Sequence, residues 1–338
     1  MRRPAIRSLA ALATAGALAL TGCGAEAGDP SGEAAAGGQG RTIHAHRVMQ
    51  LTEVHEETGM TLLEGPVLDA YGHLIVVDVT APAGEPKVMR VNVGEKEAET
   101  VFTDSRGAYT SAQFSPYDDR LYLTDYAHGE VVSLASDGSD PRTFFSGEVD
   151  GARMNPDDIA FDPEGNLYVS DSRGLSEGEA NGRVVRIDRD GEATVLAEGL
   201  AATNGISFDR DYGGLWISEL VENRISYLRL DDEGVVTSRH TAIRVDGGIA
   251  QTDSIAVDAD GNLYQALHGR PAMIVYDEHG ERLATVEVPD RGEALESATN
   301  VAITPGGTTA YMTVSGPAGG YVYSFDALAE GTRQSNGG

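Results

Sequence analysis

The sequence predicts an all-β protein, a six-bladed β-propeller. Six segments recur along the chain, each a short apolar strand, a tight turn of Asp, Pro, Gly or Asn, and an aliphatic and aromatic strand. This pattern is typical of β-hairpins. Further strand pairs follow the hairpins without an intervening amphipathic helix, and 42 Gly and 13 Pro in 338 residues favour many turns. Four short strands in each of six units indicate propeller blades, whereas a β-sandwich does not need so long and regular a period.

The N-terminus predicts a lipoprotein signal peptide over residues 1–22. Three arginines within the first seven residues precede an apolar stretch, residues 9–20, which is too short to cross a bilayer as a helix. The sequence LTGC that follows resembles a bacterial lipobox, in which Cys23 is lipidated. Cys23 is the only cysteine, so the folded part can contain no disulfide. We expect an extracytoplasmic lipoprotein anchored to the bacterial cell membrane; the alternative is a secreted protein with an incidental cysteine.

The remaining chain divides into a tether, a propeller and a tail. Residues 23–41 are small and polar and predict a flexible tether behind the lipid. The propeller is expected over residues 42–330, where the segment 42–55 supplies an outer strand that completes the last blade and closes the ring. Residues 331–338 predict a disordered tail.

The six hairpins define the blades in chain order. They are LDAYGHLIVVD (68–78), FSPYDDRLYLTD (114–125), FDPEGNLYVSD (161–171), FDRDYGGLWISE (208–219), VDADGNLYQAL (257–267) and ITPGGTTAYMTV (303–314). The acids before the turns hardly vary, and we interpret them as turn formers: Asp69, Asp162, Asp209 and Asp258. The acids at the ends of the second strands also repeat and are interpreted as structural: Asp78, Asp125 and Asp171.

One position of the repeat changes residue type from blade to blade. It lies ten residues before the second strand of each hairpin, or eleven in blade four, where the turn is one residue longer. Successive positions are 46 to 49 residues apart, and each carries a side-chain oxygen. These residues are Glu64, Ser111, Asp157, Asn204, Asp253 and Asn300.

This variable position predicts a metal site. If the first strand of each hairpin is the innermost strand of its blade, the six side chains ring the central channel at one end. Converging carboxylates of Glu64, Asp157 and Asp253 would repel each other unless a cation lies between them. Carboxylate and amide oxygens suit a hard ion, Ca²⁺ before Mg²⁺ or another divalent ion, and none of the eight His falls in this register. The alternative is a water-filled channel lined by polar residues.

The charge balance excludes one class of partner. The chain has 25 basic and 53 acidic residues, a formal net charge of −28. Such a surface repels phosphate backbones, so we expect no nucleic-acid binding. We expect a monomer that contacts the membrane only through its lipid anchor.

Four of the repeats resemble a known family. The segments EGPVLDAYGHLIVVDV, DDIAFDPEGNLYVSDSRG, TNGISFDRDYGGLWISEL and TDSIAVDADGNLYQAL are similar to the senescence-marker-protein, gluconolactonase and luciferin-regenerating-enzyme family, and most of all to its drug-responsive lactonase branch. The resemblance extends from about residue 58 to about residue 316. It implies a six-bladed propeller with one divalent metal in the axial channel and the hydrolysis of lactones.

The resemblance also implies roles for individual residues. Glu64, Asp157, Asn204 and Asp253 match the metal ligands of the family. Asp253 also matches the residue that transfers protons, and Ser254 matches its neighbour in the lactonase branch. Calcium would act as a Lewis acid on the lactone carbonyl, and no G-x-S-x-G nucleophile motif is present. We do not assign the second, structural calcium of that branch.

Loops over the channel mouth are expected to select the substrate, a small-molecule lactone or ester. Candidate contacts are Ser111, Ser254, Asn300, His128, Arg173, His268 and Arg270. Two functions remain open: a calcium-dependent hydrolase of lactones or related esters, and a non-catalytic propeller that binds a ligand or partner around a structural calcium. The acid set disfavours a third, a different reaction of the kind that strictosidine-synthase-like propellers perform.

Overall fold

A computed structural model describes residues 40–173, 180–289 and 291–333. Within these ranges the chain forms 27 β-strands and one short 3-10 helix, Leu220–Glu222. The predicted signal peptide, Cys23 and most of the tether lie outside the described residues. No helix in the described ranges has the length and apolar character needed to span a membrane.

Of these strands, 25 form six sheets arranged as a six-bladed β-propeller, which confirms the predicted fold class, and the other two form a separate small sheet. Two strands precede the first blade: β1 (Arg41–His44) and β2 (His46–Thr52). Blade one contains β3 (Leu63–Leu68), β4 (Leu74–Asp78), β5 (Pro86–Asn92) and β6 (Glu97–Thr103). Blade two contains β7 (Tyr109–Phe114), β8 (Leu121–Asp125), β9 (Glu130–Leu134) and β10 (Arg142–Phe145), and a small hairpin follows, β11 (Glu148–Val149) and β12 (Ala152–Arg153).

The other four blades repeat this plan. Blade three contains β13 (Pro156–Phe161), β14 (Leu167–Asp171), β15 (Gly182–Ile187) and β16 (Ala193–Leu200). Blade four contains β17 (Thr203–Phe208), β18 (Gly214–Glu219), β19 (Arg224–Leu230) and β20 (Val236–Arg244). Blade five contains β21 (Gln251–Val257), β22 (Leu263–His268), β23 (Ala272–Tyr276) and β24 (Arg282–Glu287), and blade six contains β25 (Ser297–Ile303), β26 (Thr309–Gly316) and β27 (Gly319–Asp326).

The first strand of every blade lies innermost. Strands β3, β7, β13, β17, β21 and β25 contact one another in this order, and β25 contacts β3 to complete the circle. The apolar core lies between blades: in the described ranges, six buried clusters each join two neighbouring blades. Burial of apolar surface between blades therefore holds the ring together, and the inner strands are left to line the channel.

The predicted closure of the ring by residues 42–55 is confirmed. Strand β2 pairs antiparallel with β27, with His46 opposite Ser324, and becomes the fourth strand of blade six. Strand β1 was not predicted: it pairs parallel with β24 as a fifth strand of blade five. A Cβ at Gly40 would lie 2.6 Å from the Leu283 carbonyl, so only glycine allows this approach.

The repeated acids have the structural roles that we predicted. At the turns, a carboxylate oxygen of Asp162 accepts the Asn166 N–H at 2.8 Å, and the other turn acids form similar bonds. At the ends of the second strands, Asp78 lies 2.8 Å from His55. Asp171 accepts a hydrogen bond of 2.6 Å from Arg183. These acids are therefore engaged in turns and ion pairs rather than directed into the channel.

A C-terminal strap, residues 328–333, crosses the face that carries the hairpin turns. The Glu330 carbonyl accepts the Ala259 N–H of blade five, and Gly331 pairs with Pro305 of blade six. Arg333 then reaches blade two, 3.5 Å from Asp119. Residues 331–333 of the predicted tail thus contact the propeller, while residues 334–338 lie outside the described ranges.

Candidate metal centre in the axial channel

Every inner strand has an irregular register near its first residues. In each blade an extra residue of the first strand shifts its pairing with the second strand. Such a β-bulge bends a strand and redirects its side chains. The residues at or next to the register shifts, in blade order, are Glu64 and Gly65, Thr110 and Ser111, Asp157 and Asp158, Asn204 and Gly205, Asp253 and Ser254, and Thr299 and Asn300. In blade one, Glu64 still pairs with Val77 and the shift follows it.

Pairing with the second strand corrects the predicted equivalence in two blades. Ser111 lies opposite Thr124 and Asn300 lies opposite Thr313, one position nearer the turn than Asp157, Asn204 and Asp253. The reason is that the turns of blades two and six are one residue longer, like the turn of blade four. We call the first bulge residues (Glu64, Thr110, Asp157, Asn204, Asp253, Thr299) the upper ring. The second bulge residues, nearer the turns (Gly65, Ser111, Asp158, Gly205, Ser254, Asn300), form the lower ring.

Close contact between inner strands fixes the backbone at these rings. A Cβ at Gly65 would lie 2.6 Å from the backbone nitrogen of Ala112, and one at Gly205 would lie 2.6 Å from that of Ile255. Glycine at these two positions therefore lets blades one and two, and blades four and five, approach closely beside Glu64 and Asn204.

Hydroxyl groups on the second strands fasten the same backbone. Thr124 of blade two donates to the Asp157 carbonyl of blade three at 2.7 Å, and Ser218 of blade four donates to the Asp253 carbonyl of blade five at 2.7 Å. Ser170 of blade three donates to the Asn204 carbonyl of blade four. Each of these predicted ligands is thus held by a hydrogen bond from the preceding blade.

Four carboxyl groups share the channel. Glu64, Asp158 and Asp253 are buried, and Asp157 is partly exposed. Burial raises the pKa of Glu64 well above its usual range, and the charges of the other three acids raise it further. Burial and the charge of Asp253 raise the pKa of Asp157 to about 8. Burial, and then the charge of Asp157, raises the pKa of Asp158. These acids therefore destabilise one another's ionised forms.

The partners of Asp253 and Asn204 are polar. The Asn204 amide donates to Asp157 at 3.2 Å, and the Ser254 N–H donates to Oδ1 of Asp253 at 3.1 Å. Oδ2 of Asp253 lies 3.6 Å from Nδ1 of the half-exposed His268. Burial raises the pKa of Asp253, and the nearby Asp253 carboxylate raises the pKa of His268. His268 thus connects a buried carboxyl to solvent.

The donor set fits a hard divalent cation. Oδ1 of Asn204 and both carboxyl oxygens of Asp158 are buried without a hydrogen-bond partner, a state that is unfavourable unless another group binds them. In the described ranges, no three Asp, Glu, His or Cys side chains converge closely enough to hold a metal ion alone. The carboxyl groups that could bind an ion come from separate blades, and they would have to close around it together with the amide oxygen of Asn204. Such an all-oxygen set suits calcium or magnesium.

The residues predicted to contact the substrate lie in different parts of the structure. Among the four predicted loop residues, His128, Arg173, His268 and Arg270, only His268 is placed beside a channel acid. His128 lies 2.9 Å from Asp125, and Arg270 lies 3.3 Å from Glu287, so both are paired with acids outside the rings. Burial raises the pKa of Asp171 and the charge of Arg173 partly offsets this, which places Arg173 near the end of β14. Ser111, Ser254 and Asn300 are buried in the lower ring.

Two residues near the site were missed by the sequence analysis. Asp158 follows directly after Asp157, but selecting one residue per repeat concealed the second member of a bulge. Tyr126 follows β8, and burial together with the charge of Asp157 raises its pKa. Tyr126 therefore lies near Asp157, and nothing in the repeat distinguishes it.

Comparison with known proteins identifies the family. Residues 62–316, which are 255 of the 338 residues, match the family described as SMP-30/Gluconolactonase/LRE-like region. The chain belongs to this family. This SMP-30/gluconolactonase-like chain is 27% identical over 281 residues to Lactonase drp35 of Staphylococcus saprophyticus, covering 80% of this chain and 84% of the relative. It is 29% identical over 237 residues to Lactonase drp35 of Staphylococcus aureus strain USA300, covering 68% and 71%.

Solved structures share the fold of this SMP-30/gluconolactonase-like chain. A calcium-binding protein, regucalcin, from Agrobacterium tumefaciens aligns with a TM-score of 0.69 at 17% identity, over 87% of this chain and 99% of that one. A gluconolactonase from Xanthomonas campestris aligns with a TM-score of 0.65 at 18% identity, over 84% and 97%. The predicted family is confirmed, and the predicted lactonase-like enzyme is confirmed at the level of the family.

Proposed function

We propose that this protein hydrolyses lactones or related esters with a calcium ion held in the axial channel. The observation that supports this most is the group of four carboxyls and one unpartnered amide oxygen in a buried channel of a lactonase-family chain. Glu64, Asp157, Asn204 and Asp253 would hold the ion, and Mg²⁺ or another divalent ion is the alternative. Both the named lactonases and the calcium-binding regucalcin are consistent with this assignment.

The ion and Asp253 have different tasks. When bound, calcium supplies Lewis-acid polarisation of the lactone carbonyl and stabilises the negative charge that develops on its oxygen. Asp253 takes a proton from the attacking water, whose oxygen bonds to the carbonyl carbon. The ring C–O bond then breaks, and Asp253 returns the proton to the leaving alkoxide, which yields a hydroxy acid. The Ser254 N–H and His268 hold the two carboxyl oxygens of Asp253 in place.

The channel mouth would bind the rest of the substrate. His268 is half exposed beside Asp253, and Tyr126 lies near Asp157, so these two side chains flank the acids from blades five and two. Ser111 and Asn300 are fully buried one level below the upper ring. We therefore assign substrate contact to His268 and Tyr126 before Ser111 and Asn300.

The chain is also proposed to act outside the cell. The predicted signal peptide and the LTGC sequence support a lipoprotein anchored at Cys23, whose channel would lie in the extracytoplasmic space. The substrate would then be a lactone present outside the cytoplasm.

A lactone panel tests the enzyme against the non-catalytic alternative. Aliphatic, aromatic, sugar and homoserine lactones are assayed with calcium and with a chelator. We expect turnover of at least one class, abolished by the chelator and restored by calcium. Calcium binding without hydrolysis of any lactone would instead support a ligand- or partner-binding propeller with a structural ion.

A further inference from the structure

Asp158 is a buried carboxyl group that the four predicted ligands do not account for. Its side chain has no exposure to solvent, and neither of its oxygens has a hydrogen-bond partner. Leaving a buried acceptor unsatisfied is unfavourable, and more so when the group is ionised. The surrounding protein therefore supplies no hydrogen-bond donor that satisfies the Asp158 carboxyl group.

The backbone holds Asp158 firmly in the channel. Its N–H donates to Ser170 at 2.8 Å, and the Ser170 hydroxyl donates in turn to the Asn204 carbonyl of the next blade. The side chain leaves the bulge of β13 directly after Asp157. The backbone at Asp158 and the backbone at Asn204 are thus tied to the same hydroxyl, which fixes the point from which the Asp158 side chain starts.

The rest of the lower ring is neutral. Ser111 and Ser254 are close enough to lower the pKa of Asp158, although neither hydroxyl reaches hydrogen-bond geometry with its oxygens. Oδ1 of Asn300 accepts the Val301 N–H at 2.8 Å, so Asn300 directs its amide nitrogen, a donor, away from its own strand. Blades one and four contribute only Gly65 and Gly205. Asp158 is therefore the single anionic oxygen donor at this level.

We propose that Asp158 is a fifth protein ligand of the channel ion and binds it from the lower ring, while Glu64, Asp157, Asn204 and Asp253 bind it from the upper ring. This inference rests on the calcium site of the proposed function. Calcium takes six to eight oxygen ligands, and four upper-ring residues leave positions open. The Asp158 carboxylate of the lower ring adds a ligand to the four of the upper ring, and no residue of blade two or blade six is needed.

Calcium affinity is the first test. Isothermal titration of the wild type and Asp158→Asn with calcium should show weaker binding by about 10-fold or more in the variant. The matched control is Asp162→Asn, which removes the same charge from the same blade about 13 Å away, four residues along the strand at the turn. We expect calcium affinity in the control to stay within about 3-fold of the wild type. Equal affinity in the wild type and Asp158→Asn would overturn the proposal.

Terbium distinguishes a ligand from a charge acting at a distance. Luminescence lifetimes of bound Tb³⁺ in H₂O and D₂O count the water molecules on the ion. We expect Asp158→Ala to bind about one more water than the wild type, because a vacated ligand position is filled by solvent. Weaker affinity with an unchanged water count would overturn the proposal. If Asp158→Ala does not fold, Asp158→Gly is compared in the same way, because glycine is the lower-ring residue of blades one and four.

The outcomes separate this inference from the proposed function. Lactone turnover with unchanged calcium affinity in Asp158→Asn would overturn the fifth ligand and leave the hydrolase intact. Weaker binding and an added water in the variants, without turnover of any lactone by the wild type, would support the ligand and overturn the hydrolase. A wild type that binds neither calcium nor Tb³⁺ in the channel would overturn the ligand assignment directly.

Discussion

Asp253 combines two tasks that the other channel acids do not share. It is proposed as both an ion ligand and the group that moves the water proton. Its two oxygens have separate partners, the Ser254 N–H and His268, and the second partner reaches solvent. Glu64, in contrast, lies close to the other three channel acids. In the proposed mechanism it binds the ion and transfers no proton. This difference allows the two tasks to be separated by substitution.

We predict that Asp253→Asn keeps part of its calcium affinity and loses lactone turnover by about 10²-fold or more. The amide retains an oxygen for the ion but cannot take a proton, and lost acid–base groups have effects of this size. Calcium titration and turnover at saturating calcium measure the two effects separately. Glu64→Gln is the control, because it should lose turnover only in proportion to lost calcium. Turnover of Asp253→Asn that recovers fully at saturating calcium would make Asp253 a ligand only.

The sequence repeat predicts some of the channel residues and misses others. Glu64, Asp157, Asn204 and Asp253 could be predicted because they vary within a regular period, and the structure brings them to one channel. Thr110 and Thr299 could not be assigned by counting from the second strand, since the intervening turns differ in length. Asp158 was not found because a bulge presents two residues where the repeat suggests one.

At the scale of the strand, the site depends on close approach between blades four and five. A Cβ on Gly205 would lie 2.6 Å from the Ile255 nitrogen and 2.8 Å from the Ser254 Cα. Backbone atoms cannot rotate away as a flexible side chain can. Any larger residue must therefore push β17 and β21 apart at the level of Asn204 and Asp253.

We predict that Gly205→Ala lowers both stability and calcium affinity. Overpacking of this kind costs about 1–3 kcal/mol, and the displaced strands carry two of the ligands. Urea denaturation and calcium titration measure the two effects. Gly213→Ala is the control in the same blade, because its Cβ would meet nothing closer than an Asp209 oxygen at 3.5 Å. Equal stability and affinity in Gly205→Ala and the wild type would show that the inner strands can separate freely.

The positions of the strands were predicted better than the pairing between strands that are distant in the sequence. The hairpins and the closing strand β2 follow from alternating apolar residues and turn residues, which are local signals. Strand β1 lies at the start of the segment that was predicted to supply one outer strand, to blade six. It pairs instead in parallel with β24 of blade five, more than 240 residues away. Only the folded ring creates the sheet edge on which β1 rests.

At the scale of the whole molecule, the channel acids link stability to pH. The folded protein holds protons on Glu64, Asp157 and Asp158 at pH values where the unfolded chain has released them. Stability falls with rising pH wherever the folded state binds more protons. The loss begins above about pH 4, the pKa of an unfolded carboxyl group, and continues through the pKa of Asp157 at about 8.

We predict that the metal-free protein has a lower Tm at pH 8 than at pH 5, and that calcium raises the Tm more at pH 8. Calcium binds only the folded state and replaces the protons between the acids. Thermal denaturation in chelator and in calcium at both pH values measures this. In Asp157→Asn, the drop in Tm between pH 5 and 8 should be smaller than in the wild type, which separates the channel from the net charge of −28. A metal-free protein that is equally stable at both values would contradict the prediction.

The lipid anchor gives a prediction for the whole cell. If Cys23 is lipidated, the wild type should fractionate with membranes and Cys23→Ser should be released, with the Tm and calcium affinity of the propeller unchanged. Immunoblots of membrane and soluble fractions, with and without the substitution, measure this. Wild-type protein that is found free in the medium at full length would contradict the lipobox assignment.

Closure of the ring by β2 also sets an order of events during synthesis. His46 pairs with Ser324, 278 residues later in the chain. A ribosome makes the chain from its N-terminus, so β2 emerges early and has no partner until nearly the whole protein has been translated. Until then β2 offers open strand edges, which are prone to mispairing. Any chain that ends before Gly319 retains this open edge permanently.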